Sequence, residues 1–132
     1  MLDTPGRPAD VAATMKLLIA VINDTDRVEE VLTRFLEIGV TGATIIDSEG
    51  MGHVLSQDPP AFAGLQSLLA RARPRNTTLL SAIPDDETVE RALAVLEDVC
   101  GSFGDPATGV AFTVPLDRAI GISGGPGSSD GE

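Results

Sequence analysis

Arg71, Arg73 and Arg75 put three of the chain's nine Lys and Arg residues within five positions, in a protein of formal net charge −11. Guanidinium groups clustered in this way bind carboxylate or phosphate through paired, charge-assisted hydrogen bonds. The same arginines also suit a solvated loop that keeps the protein soluble. A second stretch with chemistry is Gly101-Ser102-Phe103-Gly104-Asp105, whose glycine-framed backbone can wrap an anion with N–H groups. A helix C-cap followed by a turn is the other reading of these residues. A third stretch is residues 39–52, GVTGATIIDSEGMG, where Gly50 and Gly52 open a loop and let backbone approach a ligand closely. His53, Asp47, Glu49 and Asp58 carry metal-binding atoms, but one His without a ligand spacing makes no metal site. No Ser/His/Asp pattern, Walker lysine motif or HExxH sequence is present, and no carboxylate pair is set apart by its surroundings. A non-enzymatic role is therefore expected.

These residues need elements to hold them. Residues 16–23, KLLIAVIN, form a nearly continuous apolar run, the signature of a central strand covered on at least one face. Asp24-Thr25-Asp26 opens a helix, with Asp26 and Glu29 at the spacing of a capping box. Val28, Val31, Leu32, Phe35 and Leu36 then give it one buried face. Gly39 ends that helix, and residues 40–48 read as a strand with Ala43, Ile45 and Asp47 on one face and Thr44, Ile46 and Ser48 on the other.

Residues 53–76 are a long insertion with a Pro59-Pro60 break and a Leu-rich piece at 62–69 that suits loop packing. Residues 77–83 form the third strand. Pro84, Asp85, Asp86 and Glu87 start a second helix, with Val89, Leu93, Leu96 and Val99 or Cys100 as its buried stripe and Gly101 at its end. Residues 109–115 are the fourth strand, and 116–122 suit a turn and a short extra strand. Residues 1–14 and 123–132, rich in Gly, Pro, Ser and Asp, are expected to be a disordered extension and tail around one domain at 15–122. Met15 could be the true start.

The order is strand, helix, strand, strand, helix, strand. It predicts an α+β, ferredoxin-like βαββαβ fold, an antiparallel sheet with two helices on one face. The chain is 42% hydrophobic with no Trp or Tyr, so its core is aliphatic. The strands carry apolar residues on both parities, so the uncovered sheet face is a candidate for self-association. The acidic charge demotes nucleic-acid binding. The longest apolar run, residues 17–22, is far too short to span a membrane. A single cysteine and no secretory pattern in residues 1–14 suit a reducing cytoplasm.

Several pieces together resemble the PII nitrogen-regulatory protein family. They are Gly39-Val40-Thr41-Gly42-Ala43-Thr44, Glu49-Gly50-Met51-Gly52, Pro84-Asp85-Asp86, Gly101-x-x-Gly104-Asp105, and Phe112-x-Val114-Pro115-Leu116-Asp117-Arg118-Ala119-Ile120. The resemblance implies a homotrimer of ferredoxin-like subunits, with adenine nucleotide bound in clefts between subunits. It also implies a long loop after the second strand, here 53–76, that engages a partner such as a membrane transporter or a regulatory enzyme. It places Gly42, Thr44, Gly50, Gly52, Gly101, Ser102, Phe103 and Gly104 at the ligand cleft. The chain departs from the family where it matters for polyphosphate: Ser102 replaces a lysine, Gly121 and Ser123 replace two arginines, and Val54 replaces a loop glutamine. Each lost charged hydrogen bond removes about 1.5–3 kcal/mol, so ATP binding is expected to be weak. Arg71, Arg73 and Arg75 are the candidates to receive an anionic effector instead.

The expected function is thus a PII-like signalling protein that binds a small effector between subunits and acts on a partner protein through 53–76. The alternative is a small-anion or metal-binding trimer of the divalent-cation-tolerance type without a protein target. An acylphosphatase-like hydrolase would share the fold, but its anion-binding arginine loop is not seen.

Overall fold

The computed structural model describes residues 15–51 and 75–122. The expected tails at 1–14 and 123–132, Gly52, and residues 53–74 of the insertion lie outside the described residues. Among the described residues, four strands and two helices follow the expected order: β1 (Lys16–Ile22), a 3-10 turn (Thr25–Arg27) running into α1 (Val28–Glu37), β2 (Thr44–Ser48), β3 (Asn76–Ile83), α2 (Asp86–Cys100) and β4 (Gly109–Pro115). The sheet order is β2-β3-β1-β4 and every pair is antiparallel. This is the ferredoxin-like arrangement.

Period-2 alternation in the strands decides what each face does. Leu18, Ala20 and Ile22 of β1 and Leu79 and Ile83 of β3 point to the helices. There they meet Val31 and Phe35 of α1 and Val89, Ala92, Val95, Leu96 and Val99 of α2 in one core. Phe35, Leu18, Ile22, Leu79, Ile83, Leu96 and Val31 are fully buried, each contributing about 1.5–3 kcal/mol by leaving water. On the outer face, Leu17, Ile19 and Val21 are only half-buried.

Four local expectations change. The helix entry is capped by Asp24, whose carboxylate accepts from the Asp26 N–H; Asp26 and Glu29 form no capping box because a 3-10 turn intervenes. Leu36 is 61% exposed, since the core-facing stripe of α1 runs through Val31 and Phe35. The second strand starts at Thr44, not residue 40. Val40 is buried and its N–H donates to Phe35 O at 2.9 Å, while Gly39 N–H donates to Leu36 O at 3.2 Å. That is a Schellman closure, so Val40 seals the helix end instead of starting a strand. Residues 116–122 form no strand.

Asp85 caps α2: its Oδ1 accepts the Thr88 N–H at 2.8 Å. This bond, followed by one from the Thr88 side chain, holds the Asp85 carboxyl below its usual range. A depressed folded value means the cap stabilises fully at neutral pH and loses its effect as pH falls below about 4. Asp85→Ala is expected to lower the melting temperature at pH 7 by roughly 5 °C, and the gap should narrow progressively in melts run at lower pH, below about 4.

Candidate ligand-binding site

The strand directions bring several singled-out residues to one end of the sheet. β1 leaves it at Ile22, β2 ends there at Ser48, and β3 and β4 begin there at Asn76 and Gly109. The loop that precedes β4 and the base of the 52–74 segment therefore lie at the same end.

The base of that segment is a polar clasp. Ser48 Oγ donates to Asn76 Oδ1 at 2.5 Å and lies 2.8 Å from Thr78 Oγ1. Gly50 backs onto the clasp, where an added Cβ would stand 3.6 Å from Asn76 Nδ2. Arg75 reaches Glu49 at 3.5 Å, so one of the three candidate arginines ties the two stems of the segment together. Arg71, Arg73 and Gly52 lie outside the described residues.

The 101–108 loop is built differently. Gly101 ends α2 with φ 101° and ψ 177°, a region essentially restricted to glycine. From there the chain turns with its amides directed inward. Phe103 N–H donates to Glu97 Oε2 at 3.1 Å, Gly104 N–H to Ser102 Oγ at 3.1 Å and Ala107 N–H to Asp105 Oδ1 at 2.9 Å. Asp105 N–H donates to Ser102 O and Thr108 N–H to Asp105 O. The Phe103 ring packs against the core, and Asn23 anchors the far side by donating from Nδ2 to Ala107 O at 2.9 Å and from N to Thr108 O at 3.1 Å. Cys100, next to the loop, packs on the core, and burial followed by the nearby Asp24 charge pushes its thiol up. A raised thiol is a poor nucleophile.

Gly42 and Thr44 sit apart from both loops. Ser81, nearly buried on β3, donates from Oγ to Gly42 O at 2.6 Å, which fixes the approach to β2. Thr44 pairs with Leu80 on the outer sheet face and is exposed. Gly121 is exposed, and Ser123 lies outside the described residues. Among the described residues no group of three or more His, Cys, Asp and Glu side chains is placed to hold a metal ion.

Sequence reasoning missed Glu97, Asn23, Ser81 and Asn76, which bind the backbone or the opposite stem of these loops. Only Asn23 had a local signal, as a polar residue closing an apolar strand. The rest act across 6 to 39 positions of chain, beyond the reach of any local pattern.

The family model of nitrogen regulatory protein P-II matches residues 15–125. No curated protein matches the chain.

Proposed function

Because the chain belongs to the nitrogen regulatory protein P-II family, we propose that it is a non-enzymatic regulatory protein of this kind. In this reading it forms a homotrimer, binds a small anionic effector between subunits, and acts through residues 53–76 on a partner protein, a membrane transporter or a regulatory enzyme. One observation carries the reading. The clasp at the base of the 52–74 segment belongs to the β2–β3 side of the sheet, and the 101–108 loop leads into β4 on the opposite edge. Three inter-strand spacings of about 4.8 Å separate β2 from β4, so roughly 14 Å lies between these halves within one subunit. A small ligand touches both only if the β4 edge of one subunit lies beside the β2 edge of the next. A closed ring of copies supplies that arrangement.

The effector in this reading is anionic because Arg71 and Arg73 lie in the segment between the two stems and Arg75 on the stem that follows it. Adenine nucleotide is disfavoured by Ser102, Gly121 and Ser123, and Ser102 already spends its hydroxyl on the Gly104 amide. No helix among the described residues is long and apolar enough to cross a membrane, and a cytoplasmic location fits the single cysteine.

Native mass spectrometry of freshly purified protein tests the proposal. Wild type is expected to carry a small anion, and replacing Arg71, Arg73 and Arg75 by Ala should remove it. The melting temperature should hardly change, since an exposed pair such as Arg75–Glu49 contributes about 1 kcal/mol at most. Loss of folding in the triple variant would make the arginines structural, and a ligand retained without them would place the effector elsewhere.

A further inference from the structure

Four of the five amides of the 101–105 loop are already in use. Gly101 N–H donates to the Glu97 carbonyl, Phe103 N–H to the Glu97 carboxylate, Gly104 N–H to the Ser102 hydroxyl and Asp105 N–H to the Ser102 carbonyl. One acceptor stands out. Glu97 is a full negative charge, carried on the last turn of α2 and turned onto the backbone N–H at the centre of the loop. A carboxylate in that position makes the contact that a phosphoryl oxygen would make with the same amide.

We infer that Glu97 is a specificity-determining residue: its carboxylate occupies the loop as an internal anion, so a polyphosphate gains the Phe103 amide only by displacing it. Three features support this. Glu97 is exposed, so packing does not explain where its side chain lies. Asp105 adds like charge at the end of the loop, and no Lys or Arg lies between Arg91 and Arg118 in the sequence; Asp98 is already paired with Arg34 at 2.9 Å. The Phe103 ring is held against the core, which keeps its amide fixed while Glu97 is free to swing into water. The loop is thereby closed to polyanions without being dismantled. An effector lacking a phosphate chain has no need to open it.

The inference deepens the reading of the chain as an anion-responsive regulator and rests on it. Its test uses the full-length protein and inorganic tripolyphosphate as probe. Binding is measured by calorimetric titration, and the Phe103 and Gly104 amide resonances are followed in a proton–nitrogen spectrum. Glu97→Ala is expected to bind the probe about ten-fold more tightly than wild type, from one released amide and one removed like charge, with the Phe103 resonance moving furthest. Glu97→Gln keeps an acceptor but loses the charge, so it should gain affinity by less. A residue serving only as a helix-end cap would change the melting temperature and leave the titration flat. Equal affinity in wild type and Glu97→Ala overturns the inference, as does tight binding by wild type with the Phe103 amide shifting. If Glu97→Ala fails to fold, unchanged affinity in Glu97→Gln overturns it. Partner capture through 53–76 plays no part in this titration, so a failure there leaves this result standing.

Discussion

Gly109→Ala should lower the melting temperature by more than about 10 °C, the largest loss of stability expected from a Cβ added at any glycine among the described residues. A Cβ at that position would lie 2.0 Å from Val21 O, 3.1 Å from Val21 C and 3.4 Å from Ile22 Cα. All three atoms are backbone of β1, which pairs with β3 on one side and β4 on the other, so none can move aside without breaking a ladder. Gly109 also sits at φ 141°, a conformation that side chains rarely adopt. Relief requires β4 to peel away at its first residue. That would pull the 101–108 loop off Asn23, whose two bonds to Ala107 and Thr108 are its anchor. Gly42→Ala is the control. Nothing lies within 4 Å of its added Cβ and its φ is not positive, so its effect should stay within about 0.5 kcal/mol. Thermal melts of the two variants decide the matter. A Gly109→Ala melt within a few degrees of wild type would mean that β4 does not hold this register.

The fold was legible because its core obeys simple periods. Val31 and Phe35 at helical spacing, and Leu18, Ala20 and Ile22 at strand spacing, all arrive in one core. The misreadings share a cause: an apolar residue was assigned a role by its type while its neighbours in space decided the role. Val40 looked like the first residue of a strand and closes a helix. Ile120 and Ile122 alternate as a strand should, yet no strand among the described residues pairs with them, and Ile120 is 88% exposed. The candidate site was legible only as backbone. Glycine spacing located the 101–105 loop and the start of the 52–74 segment. The atoms that now fill that loop's amides belong to Glu97 and Ser102, and which acceptor wins an amide depends on where a helix ends in three dimensions.

Wild-type protein is expected to sediment as a trimer, and the double change Val110→Asp with Phe112→Asp should convert it to a folded monomer. Both helices cover one face of the sheet. The other face carries rows of facing side chains set by strand register: Thr44, Leu80, Ile19 and Phe112 in one, and Ile46, Thr78, Val21 and Val110 in the next, with Ala82, Leu17 and Val114 beside them. Ile46, Val110, Phe112 and Val114 remain 42–47% exposed. An apolar patch of this extent on a lone subunit would be sticky in water, and closed symmetry uses it up without open-ended growth. Within the subunit Val110 and Phe112 lie on an edge strand and point away from the core, so aspartate there should leave the helix-side packing and the circular dichroism spectrum almost unchanged. In an assembled sheet face each buried carboxylate lacks a partner and costs about 2 kcal/mol or more, and threefold symmetry repeats the cost in every subunit. Dissociation, not unfolding, is the cheaper outcome. Sedimentation velocity at micromolar concentration reads it directly. A wild type that runs as a monomer removes the trimer, and a double variant that stays trimeric moves the interface off this face.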